Sequence, residues 1–391
     1  MPLAATLAIQ TLVSATMYCA PVIAPAAAPV LGVAPSAIAY FVTVAYLGSM
    51  IGAVTAGGWI ARFGPIRVSQ AGMLLCGAGL SLAASGTLPA VVAGALLIGL
   101  GYGPATPASS VILARAAPPG MLALTFSIKQ TGVPLGTAIA GAALPGLVLI
   151  AGWQRAALGF AIVCALFALV IAPLRGRYDG ERNPAAPVSL RSAIAPALLV
   201  LHERQFLLLA LASLVYGGVQ ITLVSFLVTF LTESFALSLV LAGMIMAASQ
   251  LASVVGRVGW GLFADRIATR RATLGILGVG MGVSAAFGVI ADPGWPLWAI
   301  FAFAMALGAT AVGWNGVFLA ELARLAPPGR VSDVTGGASF FTFLGVVLTP
   351  PLFHLALGVT ADYGVTYALF GLPALGAGAV LLMNARMRRH A

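Results

Sequence analysis

The heptapeptide ARAAPPG at residues 114–120 recurs as ARLAPPG at residues 323–329. Six of the seven residues are identical, and the two copies are 209 positions apart. A second pair has nearly the same spacing, since GGWIAR at 57–62 corresponds to GLFADR at 261–266. Each copy lies where an apolar stretch ends. The chain therefore consists of two repeated halves, which present the same kind of apolar segment in the same order.

The segments around these motifs are apolar enough to cross a membrane. Of the 391 residues, 61% are hydrophobic and 7% are charged, whereas about a quarter of the residues in a soluble domain are charged. This composition argues against a soluble enzyme, a secreted disulfide scaffold, a disordered tail and a nucleic-acid-binding protein. A membrane-spanning helix needs about 20 mostly apolar residues. The predicted segments, called spans 1 to 12, are 4–26, 35–60, 68–88, 89–113, 122–150, 153–174, 205–231, 236–263, 272–291, 295–322, 333–359 and 364–385.

The basic residues divide unequally between the two ends of these spans. If the N-terminus is cytoplasmic, sixteen arginines lie on the cytoplasmic side and Arg155 lies on the opposite side. Because arginine is enriched in cytoplasmic loops, we expect a multi-pass protein of the plasma (bacterial inner) membrane with both termini cytoplasmic. The positive charge is spread over many loops and does not indicate a nucleic-acid partner. The sixteen are Arg62, Arg67, Arg115, Arg175, Arg177, Arg182, Arg191, Arg204, Arg266, Arg270, Arg271, Arg324, Arg330, Arg386, Arg388 and Arg389.

Residue types that carry out chemistry are few and scattered. The three cysteines, Cys19, Cys76 and Cys164, lie in apolar stretches and are expected to be small buried hydrophobic residues. The histidines and acidic residues show no paired-acid, metal-binding or Ser-His-Asp spacing. No Gly-x-x-x-x-Gly-Lys-Ser/Thr run is present to bind ATP. We therefore expect no metal and no cofactor, and a transporter rather than an enzyme.

With its twelve spans, its long polar mid-chain loop and its loop motif after spans 2 and 8, the chain resembles the major facilitator superfamily. The family pattern in that loop is Gly-x-x-x-Asp-Arg, which Gly261, Asp265 and Arg266 match, whereas Ala61 replaces the acid in the first copy before Arg62. The resemblance implies an all-α integral membrane fold of two pseudo-symmetric six-helix bundles, at 1–174 and 205–391, joined by a cytoplasmic linker at 175–204. It also implies gating roles for Asp265, Arg266 and Arg62, although in the first copy the missing acid leaves that role open.

Two cations lie inside predicted spans. Lys129, the one lysine of the chain, and Arg257 each lie about eight residues, or roughly 12 Å, from the cytoplasmic end of span 5 or span 8. The resemblance implies that spans 5 and 8 border one cavity. It also matches Arg257, eight residues before Asp265, to the substrate-binding arginine of monocarboxylate and oxalate carriers. No Asp or Glu lies in the middle of a span, so the substrate is expected to supply the negative charge. Two other interpretations stay open: Arg257 bonds to Asp265 or to backbone carbonyls, and Lys129 extends to the membrane surface.

Uncharged polar residues at similar depth add to this candidate site. Gln130 adjoins Lys129, and the amide of Asn315 is placed to orient a carboxylate. Hydrogen bonding between helices is an alternative role for each of them. His354, which follows two prolines in span 11, is a candidate for proton coupling, or else it bonds to a backbone carbonyl at the proline kink. The candidate substrate-binding residues are Lys129, Arg257, Gln130, Asn315, Tyr18, Tyr102, Tyr216 and Gln220.

These observations predict a secondary transporter that works by alternating access and moves a small organic anion, a carboxylate. Proton symport and anion exchange fit equally well, because exchange needs no titratable group in the cavity. The expected partners are the anion, the lipid bilayer and, for symport, protons, and we expect a monomer. The alternative is proton-coupled efflux of drugs or other hydrophobic compounds. That alternative calls for an apolar cavity with an acid, whereas the charges found here are cations. A channel is a further alternative, although duplicated halves favour a carrier.

Overall fold

The computed structural model describes residues 2–33, 38–186 and 190–387 of the chain. Within these residues the secondary structure is helical, and two short 3-10 helices lie at Ala172–Leu174 and Phe287–Ile290. Two of the arginines used for orientation, Arg388 and Arg389, lie outside the described residues. The α-helices are α1 Pro2–Leu31, α2 Ile38–Phe63, α3 Pro65–Ala83, α4 Leu88–Tyr102, α5 Ala105–Ala116, α6 Leu122–Gln130, α7 Gly132–Ala151, α8 Trp153–Val170, α9 Arg175–Tyr178, α10 Leu190–His202, α11 Arg204–Ser234, α12 Leu239–Arg266, α13 Arg270–Ala286, α14 Leu297–Ala311, α15 Asn315–Leu325, α16 Val331–Thr360 and α17 Tyr363–Met387.

Twelve segments of the described chain are long and apolar enough to cross a membrane, which confirms the predicted number of spans. Each predicted span overlaps one of them. The twelve are Pro2–Ala24, Tyr40–Phe63, Pro65–Ala83, Leu88–Ala116, Leu122–Ala151, Trp153–Tyr178, Arg204–Ser234, Leu241–Arg266, Arg270–Ile290, Leu297–Leu325, Val331–Thr360 and Tyr363–Ala385.

Spans 4, 5 and 10 are each broken by a short turn. The breaks lie at Gly103 and Pro104 in span 4, at Thr131 in span 5, and at 312–314 in span 10. Proline lacks the backbone N–H that a helix needs, so the break at Pro104 has a local cause. A broken helix frees backbone carbonyls, which the bilayer tolerates only where other protein groups or water hydrogen-bond to them. The breaks therefore mark the places where polar side chains are expected.

The chain forms two compact units that exchange short segments between the sequence halves. The first unit comprises Met1–Ala116, Lys129–Phe206 and Ala323–Phe340. The second comprises Ala117–Ile128, Leu207–Leu322 and Phe341–Ala391. The start of span 5 thus belongs to the second unit and the start of span 11 to the first. The repeated loops ARAAPPG and ARLAPPG precede the exchanged starts in both halves, so the exchange follows the sequence repeat.

In the first unit, small residues let helices approach until backbone meets backbone. A Cβ atom placed on Gly99 of α4 would lie 2.0 Å from the Ala45 carbonyl oxygen of α2. A Cβ on Gly101 would lie 2.3 Å from the Gly72 carbonyl oxygen of α3. Such contacts are favourable in a bilayer, where helix association depends on close packing and not on the exclusion of water.

The second unit uses the same device between α11 and α16 and between α13 and α17. A Cβ on Gly345 would lie 1.9 Å from the Leu214 carbonyl oxygen, and a Cβ on Gly278 would lie 2.8 Å from the Ala374 carbonyl oxygen. Caps from side-chain hydroxyls begin two of its helices, since Ser238 accepts from the Leu241 N–H of α12 and Thr269 accepts from the Ala272 N–H of α13. Local sequence thus sets these helix starts, and glycine sets how closely the helices pack.

Replacing Gly99 by alanine is expected to destabilise the first unit, because the new methyl group would overlap the Ala45 carbonyl and force α4 away from α2. Overpacking of this kind costs about 1–3 kcal/mol. The matched control is Gly141→Ala on α7, where nothing lies within 4 Å of the new Cβ. Thermal unfolding in detergent checks the prediction: Gly99→Ala should lower the melting temperature and Gly141→Ala should not. Equal melting temperatures would contradict this account of the α2–α4 contact.

Candidate functional site: two buried cations and their polar neighbours

Lys129 is buried within the first unit, with 1% of its surface exposed. Its ammonium group donates hydrogen bonds to Gln10 Oε1 at 2.7 Å and to Gln130 Oε1 at 3.0 Å, and it lies 3.5 Å from Thr106 Oγ1. The Gln10 amide is held in this orientation because its nitrogen donates to Ser14 Oγ at 3.1 Å. One interpretation of the sequence was that Lys129 extends to the membrane surface. These contacts show that it does not. It is bound by neutral oxygens inside the unit, and we call these residues the lysine cluster.

The lysine cluster lies where two spans break. Lys129 and Gln130 end α6 just before the break at Thr131, and Thr106 lies in the first turn of α5 just after the break in span 4. After the break, α7 packs closely on α1, because a Cβ on Gly132 would lie 2.9 Å from Gln10 Cβ. A turn in each of two helices thus brings the lysine, the two amides and the hydroxyl together.

Arg257 is buried in the second unit, with 2% of its surface exposed. Its Nε donates to the Val312 carbonyl oxygen at 3.0 Å. Val312 lies in the break of span 10, so Arg257 binds a carbonyl that the broken helix leaves available. Bonding to a backbone carbonyl was one of the two interpretations of Arg257 other than substrate binding. A guanidinium has five N–H donors, and the bond of one of them to this carbonyl orients the group.

Gln220 binds the side chains of the last residue of this break and of the first residue of α15. Its Oε1 accepts from Trp314 Nε1 at 3.2 Å and from Asn315 Nδ2 at 3.0 Å. Because both donors bind the oxygen, the amide nitrogen of Gln220 faces away from them and remains a donor. With Arg257 and Val312 these residues form the arginine cluster.

Four other candidates from the sequence have different surroundings. Tyr216 is buried, packs edge-on against the Trp314 ring at 5.6 Å and donates to the Leu274 carbonyl oxygen at 3.0 Å. Its hydroxyl therefore connects two helices. Tyr18 is half-buried and lies 3.4 Å, oxygen to oxygen, from the hydroxyl of Tyr46, and Tyr102 is buried. His354 is exposed on α16, and its role in proton coupling stays a prediction.

Asp265 fastens the start of span 5 within the second unit. Its carboxylate accepts from the backbone N–H groups of Ala123 and Leu124 at 3.1 and 2.8 Å, and it pairs with Arg270 at 2.8 Å. Carboxylates bind well at the N-terminal end of a helix, where N–H groups are unpaired and the helix dipole is positive. Arg62 and Arg266, the other gating candidates, are exposed, and Arg62 stacks on the Phe63 ring.

In the first copy of the motif Ala61 replaces the acid at the end of α2. There the carboxylate comes from the helix that packs against α2, which is α16. Asp333, in the first turn of α16, contacts α2 at Gly57 so closely that a Cβ there would lie 1.9 Å from its Oδ1. Asp333 also accepts from Arg330 Nε at 3.1 Å. Sequence reasoning missed this arrangement, because the acid of the first copy does not lie at the position equivalent to Asp265. It lies on a different helix, α16.

Sequence reasoning also missed a second acidic residue, Asp179, which follows span 6. It is 3% exposed and accepts from the backbone N–H groups of Ile66 at 2.8 Å and Arg67 at 3.2 Å, at the start of α3. Gly64, with φ of 93°, leaves no room for a Cβ beside this carboxylate. Burial raises the pKa of Asp179 above its ordinary value, and the two N–H groups with the charges of Arg67 and Arg175 offset part of that rise.

Among the described residues no group of three or more His, Cys, Asp or Glu side chains is arranged to hold a metal ion. The cysteines are buried and unpaired, in keeping with the hydrophobic role expected of them.

Comparison with known proteins agrees with this architecture. The profile described as Major Facilitator Superfamily matches residues 6–350 and, in a second match, residues 222–390. The chain belongs to the major facilitator superfamily. The expectation of a transporter family and not an enzyme is thereby confirmed.

Several superfamily members are similar to this chain over part or all of its length. The probable nitrate/nitrite transporter NarK2 of Mycobacterium tuberculosis is 34% identical over 181 residues, which are 46% of this chain and 43% of that protein. The nitrate/nitrite transporter NrtP of Nostoc punctiforme is 35% identical over 80 residues, which are 20% of this chain and 16% of that protein. The matched regions thus span less than half the length of these relatives.

A solved structure shows that the fold of the superfamily extends over the whole chain. The E. coli fucose:proton symporter FucP superposes with a TM-score of 0.76 at 15% identity, covering 99% of this chain and 98% of that one. At this identity the likeness concerns the fold alone, and it confirms the all-helical superfamily architecture.

The buried carboxyl of Asp179 is expected to make stability depend on pH. Because its folded pKa is raised, the folded chain holds the proton more strongly than the unfolded chain. Stability from this group is therefore greatest at low pH and is lost as the pH rises through the raised pKa. Asp179→Asn lacks this proton, so lowering the pH should shift the melting temperature of the wild type upward relative to this variant, on the order of 1–2 °C. The control, Glu181→Gln, removes a carboxylate that is 73% exposed. A pH-independent difference for Asp179→Asn would refute the prediction.

Proposed function

We propose that this protein is a secondary transporter that moves a small planar anion, a carboxylate or an inorganic oxyanion, by alternating access. The observation that carries the proposal is the pair of buried cations, Lys129 and Arg257, inside membrane spans. A charge within a bilayer costs several kcal/mol or more by most estimates, so cations at such positions are retained for function.

The distribution of acidic residues supports an anionic substrate. Within the twelve spans the acids lie close to an end: Glu233 and Asp265 near the ends of spans 7 and 8, and Glu321 and Asp333 near the end of span 10 and the start of span 11. Asp265 accepts from an N–H group at the start of α6, and Asp333, itself at the start of α16, pairs with Arg330. Glu321 pairs with Arg271, both buried, within the second unit. The negative charge that suits the middle of the spans is therefore proposed to arrive with the substrate.

The chemistry of the two clusters suits an anion with two oxygens on one edge. Gln10, Gln130 and Thr106 are neutral, so they satisfy the hydrogens of Lys129 without cancelling its charge. The Val312 carbonyl binds Nε of Arg257, and a guanidinium can bind a planar oxyanion through two N–H groups. Arginine suits planar oxyanions and lysine acts as a point charge. We propose that both cations contact the substrate during the transport cycle, with Gln130, Gln220 and Asn315 as the neighbouring amides.

The named relatives extend the range of anions to test. Both are nitrate/nitrite transporters by name, and nitrate is planar like a carboxylate. Sequence reasoning favoured an organic carboxylate, and the shared chemistry is a small anion with a planar oxygen edge. Proton symport and anion exchange stay as alternatives for coupling, and efflux of hydrophobic compounds stays the alternative function.

The proposal includes a gating role for Asp265 and an orientation of the protein in the membrane. Asp265, by binding the first N–H groups of α6, is proposed to stabilise one conformation of the cycle, with Arg270 as its partner. The arginine-bearing ends of the spans are proposed to face the cytoplasm, in agreement with the excess of arginine there.

Changing either cation is expected to remove transport without unfolding the protein. Arg257→Lys keeps the charge but loses the two-point contact, and we expect at least a tenfold lower rate of uptake, corresponding to about 1.4 kcal/mol or more. Lys129→Met keeps the length of the side chain without the charge and should abolish uptake. The control is Arg155→Gln, since Arg155 is exposed at the start of span 6. Uptake of labelled anion into proteoliposomes, with melting temperatures measured in parallel, checks these outcomes.

A substrate panel tests the transport proposal itself. Proteoliposomes are offered labelled monocarboxylates, dicarboxylates, nitrate, nitrite and amines, with and without a pH gradient. A carrier of anions shows saturable uptake and trans-stimulation by an anion. A pH gradient that drives accumulation indicates symport, whereas dependence on an internal anion indicates exchange. Selective uptake of a cation, or full activity of Arg257→Lys and Lys129→Met, would overturn the proposal.

A further inference from the structure

The first unit contains a cavity of about 410 Å³ that is separate from the lysine cluster. The ends of α1 and α3 and the starts of α2, α4 and α8 line it. These helix ends are remote from Arg62 and Arg67, which lie near the opposite ends of α2 and α3. On α1 the lining begins at Ala20, ten residues or about 15 Å beyond Gln10 of the lysine cluster.

Small side chains on one face of α1 create this space. Their spacing of four, three and one residues places them on the same side of the helix. A methyl group at each of these positions leaves room that a longer side chain would fill. The residues of this face, which we call the alanine face, are Ala20, Ala24, Ala27 and Ala28.

The cavity has an exposed opening and a buried wall. Tyr40 of α2 and Leu88 and Val92 of α4 line it and are 78%, 49% and 47% exposed, so the opening lies between the starts of these two helices. On the wall, Leu80 and Ala83 of α3 are 1% and 7% exposed. A molecule that enters therefore removes its own apolar surface from water, which is favourable.

Trp153 contributes a polar atom to this apolar interior. Its side chain lines the cavity, and 5% of the residue is exposed. The indole Nε1 is buried and has no hydrogen-bond acceptor within the described part of the chain. A buried tryptophan N–H ordinarily has a partner, because burial of an unsatisfied donor costs free energy. The ring thus has one N–H donor to offer to a molecule in the cavity.

The lining determines which kind of molecule fits. It is almost entirely apolar, and none of the described residues that form it is charged. A buried water molecule needs two to four polar partners, which these side chains do not supply. A charged ligand would lose its hydration without gaining an ion pair. The volume lies within the range of small-molecule sites, about 300–1,000 Å³, so the chemistry that fits is a neutral apolar molecule with an acceptor oxygen.

We propose that this cavity binds a small neutral molecule with an aliphatic body and one carbonyl oxygen, which accepts from Trp153 Nε1. The aliphatic body lies against the alanine face and Leu80. A phospholipid ester has the same carbonyl group, but the lining holds no cation to pair with its phosphate, and this favours a free molecule. Because the site is separate from the lysine cluster, the proposal does not depend on the identity of the transported anion.

The indole N–H signals of the full chain in nanodiscs test the hydrogen bond. The chain has six tryptophans, and the NMR signal of Trp153 is the one that Trp153→Phe removes. The probe is methyl heptyl ketone, and its matched control is nonane, which has the same number of carbons and no oxygen. The ketone should shift the Trp153 proton downfield and nonane should not, while Trp298, which is 74% exposed, should respond to neither. No ketone shift, an equal shift with nonane, or the same shift at Trp298 overturns the proposal.

A comparison of two lipids identifies the source of the oxygen. Nanodiscs are prepared with ester-linked phosphatidylcholine and with its ether-linked analogue, which lacks the carbonyl oxygen. A free ligand predicts the same Trp153 signal in both before the ketone is added, and the same downfield shift afterwards. A downfield signal that is present before the ketone in ester-linked lipid alone identifies phospholipid as the occupant and overturns the proposal.

Filling the cavity tests its location. Ala27 is 7% exposed and lines the cavity, so Ala27→Phe should remove the ketone shift of Trp153. The matched control is Ala142→Phe, at an exposed residue of α7 outside the lining, which should keep the shift. If Ala27→Phe does not fold, Ala24→Leu, at a half-buried residue of the alanine face, takes its place. A full ketone shift in the filled variant overturns the assignment to this cavity.

Discussion

An ionised side chain inside a bilayer loses its hydration, and this cost determines where every charge of the protein lies. The arginines gather at span ends, where water and headgroups solvate them. The acids of the spans also lie near the ends, and three of them bind a helix start or an arginine. Lys129 and Arg257 are the charges that remain deep, and both bind oxygens of the protein. Neutral oxygens thus solvate part of each group, and these contacts do not cancel the charge.

Broken helices supply part of this solvation. Arg257 uses the carbonyl of Val312, which the turn in span 10 frees, and Lys129 lies beside the turns in spans 4 and 5. An unbroken helix would keep its carbonyls in its own hydrogen bonds and offer a buried cation nothing but side chains. Discontinuous spans at the level of a binding site are a recurrent feature of secondary transporters, because they expose backbone groups without exposing them to lipid.

Much of the fold was predictable from sequence, whereas much of the site was not. The twelve spans follow from apolar length, which needs no tertiary information, and Lys129 and Arg257 follow from charge inside those spans. The turn at Thr131 was missed, because the sequence there has no proline or glycine at the turning residue itself. Tyr216 was expected at the substrate, and this stays a prediction; its hydroxyl bonds to the Leu274 carbonyl, a contact that no periodicity in the sequence indicates. Asp179 and Asp333 were missed because their partners lie far away in sequence.

The sequence by itself determined the number of spans, the repeat, the arginine bias and the presence of two deep cations. Each of these depends on composition along the chain, since the length and charge of a segment determine whether it is stable inside a bilayer. The tertiary structure decided which oxygens bind Lys129, which carbonyl orients Arg257, and that Asp333, not residue 61, contacts the partner helix in the first copy. It also decided that α10 turns Pro196 and Val200 toward Gly337 and leaves Leu198 and Leu201 half exposed. These are contacts between residues tens or hundreds of positions apart, and only packing in three dimensions selects among the many that the sequence allows.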